Sequence, residues 1–293
     1  MGRVILAWLL GLAFLTTGIF SWLTAPSPLG SASLPQHTAN AANGELIYHI
    51  GGCISCHKGA GATVPSGGEP FKTPIGTFYP PNLTPDAETG IGQWTAAQFV
   101  NAVQLGISPK GQHYIPAFPY ASYHRMHTEH VLDLFAYLKS LAPVASPTKA
   151  PDVPLQWALR PATGIWKRFA LHPPIMDDPT QSPAWNRGRY LVTGPGHCGE
   201  CHTPRNFMMV SDETRALAGA PHPDGKGRVP SLQDLIGRGK YESVDDLAGA
   251  LSLGELGGYD RLASGGMAEV QANIAKLPET DIRAIAEYLA SIK

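Results

Sequence analysis

Charge is scarce in this sequence. Asp, Glu, Lys and Arg make up only 15% of its 293 residues, and 22 basic side chains against 23 acidic ones leave a formal charge of -1. No basic field exists that would attract nucleic acid. Neither a nucleotide-binding loop nor a catalytic triad is recognisable. Cysteine is nearly absent as well, with four residues in the whole chain. By contrast 27 prolines and 32 glycines are many, which suits compact domains with much loop and few long helices.

All four cysteines fall in two copies of one pattern, Cys53-Ile54-Ser55-Cys56-His57 and Cys198-Gly199-Glu200-Cys201-His202. A redox pair would sit in a thioredoxin-like βαβ context, and half a zinc site would need its matching half; neither fits. A disulfide inside either motif would close too short a loop to constrain the unfolded chain. Two thiols followed at once by an imidazole is the pattern of covalent haem attachment. The thiols add across the porphyrin vinyl groups and the histidine becomes an iron ligand. Cys53, Cys56, Cys198 and Cys201 are therefore read as attachment sites for two haem c groups, with His57 and His202 as the proximal axial ligands.

Residues Val4 to Leu23 carry no formal charge and follow Arg3. This run is long enough to span a bilayer and exceeds the apolar core of an ordinary signal peptide, so an uncleaved anchor is the reading. Cleavage at Ala39-Asn40-Ala41 is the alternative, although that site lies far beyond the apolar run. Arg3 on the short side places the N-terminus in the cytoplasm and the rest of the chain in a periplasm-like space.

Beyond the anchor (1–26), a Pro-, Ser- and Ala-rich tether is expected over 27–42. Two domains are expected at 43–145 and 183–293, joined by a Pro-rich segment at 146–182. Each opens on a short helix with a Tyr before the cysteines. Each also closes on a helix of apolar spacing that ends on Ala and Tyr-Leu, Ala136-Tyr137-Leu138 within Thr128 to Leu141 with Thr128 as N-cap, and Ala286-Glu287-Tyr288-Leu289 within Pro278 to Ser291. Together with the two cysteine motifs this is an internal duplication. The joining segment holds an amphipathic piece from Leu155 to Phe169, whose Trp157 and Trp166 are expected to cover the seam between the domains.

The runs Thr73-Pro74-Ile75-Gly76-Thr77-Phe78-Tyr79-Pro80-Pro81-Asn82-Leu83-Thr84-Pro85-Asp86, Thr89-Gly90-Ile91-Gly92-Gln93-Trp94-Thr95 and His113-Tyr114-Ile115-Pro116-Ala117-Phe118-Pro119-Tyr120 resemble the cytochrome c subunits of membrane-bound alcohol, gluconate and aldehyde dehydrogenases. The resemblance implies a mostly α protein, with two tandem class I cytochrome c domains after an N-terminal transmembrane helix. Those subunits commonly carry three haems, whereas this chain has two attachment motifs.

By the same resemblance Met267, in Ser264-Gly265-Gly266-Met267, is the distal ligand of the second haem. Many relatives have Met where this chain has Phe118, so Met126 becomes the distal candidate for the first haem. It lies nearly as far beyond Cys53 as Met267 lies beyond Cys198, and a thioether suits an electron carrier. His124 and His127 stand beside it as alternatives. The carbonyls of Pro81 and Pro230 are the expected acceptors for the free N–H of the two proximal histidines.

The implied function is a dihaem cytochrome c held at the bacterial inner membrane with its haems on the periplasmic side. It would relay single electrons from a partner dehydrogenase of alcohol, aldehyde or sugar type to quinone, another cytochrome or a terminal oxidase. A dihaem enzyme of peroxidase or thiosulfate-oxidising type, and a haem c subunit of a terminal oxidase, are the alternatives.

Overall fold

A computed structural model describes residues 2–59, 61–222, 227–256 and 266–293. The chain is mostly helical. Helix α1, Gly2–Leu23, buries none of its residues and has a mean hydropathy of 2.1, long and apolar enough to cross a membrane. The first half follows with α2 (Ala41–Ile50), α3 (Cys53–His57), a small hairpin of β1 (Phe71–Thr73) and β2 (Gly76–Phe78), α4 (Ala96–Leu105), α5 (Tyr120–Tyr123) and α6 (Thr128–Ser140). Helix α7, Gln156–Ala170, leads to the second half. That half holds α8 (Pro183–Thr193), α9 (Gly199–His202), the short antiparallel pair β3 (Ala220–Pro221) and β4 (Arg228–Val229), α10 (Val244–Leu253), α11 (Gly266–Ile274) and α12 (Glu279–Ser291).

Each half is built on the crossing of its first and last helices, α2 on α6 and α8 on α12. Glycine makes both crossings possible. A Cβ on Gly44 would lie 2.0 Å from the Asp133 carbonyl oxygen, and one on Gly188 would lie 1.8 Å from that of Ala284. Counted back from Tyr137 and Tyr288, Asp133 and Ala284 are the same position of the repeat. Around the crossings one apolar cluster runs through both halves and includes Ile47, Leu134, Leu138, Leu191, Leu247, Ile285 and Leu289.

Local signals explain the helix starts. Asn40 caps α2 by accepting from the N–H groups of Ala42 and Asn43, and Thr95 with Gln98 forms a reciprocal capping box on α4. Thr128 is the first residue of α6 rather than its cap, a place taken by His127 without a side-chain bond.

The stretch 27–42 is not a free tether. Leu29 exchanges two hydrogen bonds with the Asn101 side chain, at 2.8 and 2.9 Å. The Asp133 carboxylate accepts from His37 Nε2 at 2.6 Å, from the Asn40 N–H at 2.6 Å and from Asn43 Nδ2 at 2.7 Å. A polar composition suggested looseness, but a single carboxylate gathers the segment onto α6.

Helix α7 is clamped to the end of α1. Arg168 donates to the Leu23 carbonyl at 3.0 Å, and Gly164 lets the Thr24 backbone come close. His113 links the two by donating from Nε2 to the Thr24 carbonyl at 2.9 Å and accepting at Nδ1 from Lys167 Nζ at 2.9 Å. Trp166 does reach the seam, donating to the Met208 carbonyl and meeting the Tyr120 ring edge-on. Trp157 does not: it is 79% exposed, because it points from the opposite face of α7.

Between the halves, His130 Nδ1 and the Tyr190 hydroxyl are hydrogen-bonded at 2.6 Å. Burial, with His127 and Arg187 nearby, pulls the His130 imidazole down from 6.5 to about 4, while Asp133 and Glu129 oppose the shift weakly. A histidine lowered in the folded state stays neutral there while the unfolded chain takes up its proton. Its share of stability is thus whole above about pH 6.5 and is lost as pH falls towards about 4. Thermal melts across this window should fall less steeply for His130→Gln than for the parent; parallel slopes would contradict the assignment.

Candidate haem centres

Both attachment motifs leave their preceding helix through a left-handed residue, Gly52 at φ 59° and His197 at φ 40°. Glycine takes this conformation freely, but a histidine does so at a cost on the order of 1–2 kcal/mol. His197 is held there by its Nε2, 3.3 Å from the Gly51 carbonyl of the other half, and by the Tyr123 ring against it.

The four thiols form no disulfide. Burial pushes Cys53 and Cys198 up to about 12 and raises Cys56 and Cys201 in the same direction. A redox-active or metal-binding pair needs its thiolate stabilised, and here the thiolate is disfavoured throughout. Among the described residues no cluster of three or more His, Cys, Asp or Glu could hold a bare metal ion. The donor set fits thioether attachment of haem instead.

Each motif histidine is oriented by one carbonyl. His57 Nδ1 donates to the Pro81 oxygen at 2.7 Å, and His202 Nδ1 donates to the Pro230 oxygen at 2.8 Å. A carbonyl can only accept, so Nδ1 carries the proton and the Nε2 lone pair is available to iron. Burial lowers both imidazoles below the usual histidine range and favours this neutral form.

The Pro81 loop is fixed by Asn82, which is buried and donates to the Val144 carbonyl at 2.7 Å while accepting from the Thr84 N–H and hydroxyl. Ser231 stands in its place in the second half, accepting from the Gln233 N–H at 3.0 Å.

The two methionines sit differently. Met267 is in the first turn of α11 and 36% exposed; residues 257–265 before it lie outside the described residues. Met126 is 1% exposed, and its Cγ lies 3.7 Å from where a Cβ on Gly194 would be. Counted back from Tyr137 and Tyr288, Met126 occupies the position of Leu277, also buried in the common apolar cluster. His124 Nδ1 donates to the Gln104 carbonyl and His127 Nε2 lies 3.1 Å from the Ile175 carbonyl, so both are engaged away from the motif.

The motifs face each other across the seam in a reciprocal way. Ser55, the third residue of one motif, accepts from Asn273 Nδ2 at 3.0 Å; Glu200, the third residue of the other, accepts from the Ser122 hydroxyl at 2.6 Å. Ser122 and Asn273 are again one position of the repeat. Each motif is thus held by the other half, as a two-fold relation requires. Reading one half at a time misses these four residues; laying the halves on each other and asking which polar positions coincide would have found them.

Comparison with known proteins agrees with this arrangement. A cytochrome c family profile matches residues 41–142. The chain is 41% identical over 277 residues to a diheme cytochrome c-type protein of Cereibacter sphaeroides, covering 92% of each. It is 38% identical over 261 residues to the cytochrome c subunit of a quinone-linked alcohol dehydrogenase of Gluconacetobacter polyoxogenes, covering 85% of this chain and 55% of that one. With the fructose dehydrogenase cytochrome subunit of Gluconobacter japonicus it shares 35% identity over 283 residues, 94% of this chain and 56% of that one. It therefore spans little more than half the length of these dehydrogenase subunits, yet nearly all of the dihaem relative. The duplicated attachment motifs, their carbonyl-oriented histidines and these matches place the chain in the cytochrome c family.

Proposed function

We propose that the chain is a membrane-anchored dihaem cytochrome c that relays single electrons from a periplasmic dehydrogenase to quinone, another cytochrome or a terminal oxidase. Haem c, when bound, supplies an iron that exchanges one electron. The chain's own residues attach it through Cys53 and Cys56, and through Cys198 and Cys201. His57 and His202, oriented by Pro81 and Pro230, would ligate the two irons, and Met267 would be a further ligand of the second. The observation that carries this reading is the reciprocal contact of the motifs, Ser55 with Asn273 and Glu200 with Ser122, which sets the two attachment edges side by side. A relay needs two carriers in a fixed relation, a requirement that these bonds between the halves support.

The dehydrogenase partner rests on relatives named as subunits of alcohol, fructose and gluconate dehydrogenases. Purified from its membrane in mild detergent, the chain should bring down a dehydrogenase whose alcohol, aldehyde or sugar substrate reduces both haems. Isolation of the chain alone, with haems that no such partner reduces, would contradict the proposal.

Helix α1 serves as the anchor in this reading. Its end is clamped to α7, which leaves Leu155, Trp157 and Phe169 exposed beside basic Arg160 and Arg168, as suits a helix at a bilayer surface. Cleavage near Ala41 would also discard the bonds of Leu29, His37 and Asn40. The protein should resist extraction by alkaline carbonate and retain its first residues; a soluble form beginning near Ala42 would overturn the anchor.

A further inference from the structure

We infer that His197 is the bridge over which an electron passes between the two halves, joining the segment that holds Cys198 and Cys201 to the one that holds Cys53 and Cys56. The inference rests on the dihaem reading above. It starts from a break in the two-fold relation. The residue just before the first cysteine is Gly52 in one motif and His197 in the other, and both take the left-handed conformation, at φ 59° and φ 40°. Glycine is at ease there and a histidine is not. Such backbone persists only where its surroundings hold it, and such places gather at functional sites.

What holds His197 lies across the seam. Its Nε2 is 3.3 Å from the Gly51 carbonyl oxygen and donates to it, since a carbonyl can only accept. The loops around this bond touch as well. A Cβ on Gly196 would lie 3.3 Å from Ile50 Cδ1, and one on Gly51 would lie 3.8 Å from the Pro195 carbonyl oxygen. The Tyr123 hydroxyl donates to the same Gly51 oxygen at 2.8 Å, and its ring meets the His197 ring edge-on. The two-fold equivalent cannot form. Gly52 has no side chain, and the place of Tyr123 in the second half, counted back from Tyr137 and Tyr288, is taken by apolar Ile274.

Position decides what the bond can do. Gly51 stands two residues before Cys53, and His197 directly precedes Cys198. Among the described residues this is the one hydrogen bond that runs straight between 51–57 and 197–202. The pairs Ser55 with Asn273 and Glu200 with Ser122 each lead from one motif to a residue far along the chain from the other. The His197 path is short instead. It runs from the Cys53 sulfur along the backbone to Gly51, over one hydrogen bond to the imidazole ring, and on to Cys198. Electronic coupling falls off less across bonds and a conjugated ring than across a gap. One electron leaves a ferrous iron in one half, which becomes ferric, and reduces a ferric iron in the other to ferrous. No proton moves, because His197 keeps its Nε2 hydrogen throughout.

The test uses the full holoprotein in detergent. An alkaline pyridine spectrum first counts the haems; fewer than two would remove the dihaem reading itself. With two present, a single electron is delivered by pulse radiolysis and its passage from one haem to the other is timed. His197→Gly and His197→Asn both suit left-handed backbone, but neither side chain reaches Gly51. Both variants should keep two haems, both potentials and the magnetic coupling between the two ferric irons, while the passage slows several-fold. Tyr123→Phe removes a bond to the same carbonyl without touching the path and should leave the rate as it is. Four results would overturn the proposal: no passage in the parent, an unchanged rate in both His197 variants, a slower rate accompanied by weaker magnetic coupling, or failure of both variants to fold. The last two would make His197 a spacer or a strut rather than a bridge.

Discussion

Replacing Cys198 and Cys201 together by Ser is expected to remove one of the two covalent haems and to unfold most of the second half. The thioethers are the permanent link, and His202 alone would hold the group only by a reversible iron bond. The apolar side chains around the motif, among them Leu191, Leu217 and Leu232, would lose the surface they pack on. Burial of that much apolar area is worth on the order of several kcal/mol. The first half should then keep its own haem spectrum, while protease cuts appear in 183–293. A variant that retained two denaturation-resistant haems would contradict the attachment assignment. Cys201→Ser alone keeps one thioether and should lower yield rather than haem number.

Gly44→Ala and Gly188→Ala are the other large effects. In a solvated helix the exchange of Gly for Ala favours folding by roughly 0.5–1 kcal/mol. Here the added methyl group would meet backbone oxygens at 2.0 and 1.8 Å, and neither oxygen belongs to a side chain that can swing away. The helices must move apart, which costs more than the ~1–3 kcal/mol of ordinary overpacking. The steric term wins, so each variant should be destabilised by roughly 3 kcal/mol or fail to accumulate. Gly249→Ala on α10 is the control, since nothing lies within 4 Å of its added carbon, and it should be neutral or slightly stabilised. Equal melting temperatures for all three would mean that the crossings are not the framework of the halves.

The duplication was legible because both of its ends carry marked residues, Cys-x-x-Cys-His at the front and Tyr-Leu with an Ala just before it at the back. So were the carbonyl partners of His57 and His202, although they lie far along the chain, because Pro81 and Pro230 stand in segments that resemble the Pro-Asn-Leu segment of small cytochromes c. What could not be read was anything set between the halves. Ser55, Ser122, Glu200 and Asn273 are ordinary polar residues until the seam brings them together. The stretch 27–42 looked loose because its partner, Asp133, lies far along the chain. Trp157 and Trp166 looked equivalent, yet helical rotation turns one to the Tyr120 ring and the other to the outside.

The central claim is that one chain carries two haems by covalent bonds. The most direct measurement is the intact mass of the denatured, unreduced protein, followed by peptide mapping of the modified cysteines. The expected result is the mass of the chain plus two haems, with one on the peptide containing Cys53 and Cys56 and one on that containing Cys198 and Cys201, and no thiol left to alkylate. A mass with one haem or none, or alkylation of either cysteine pair, would contradict it.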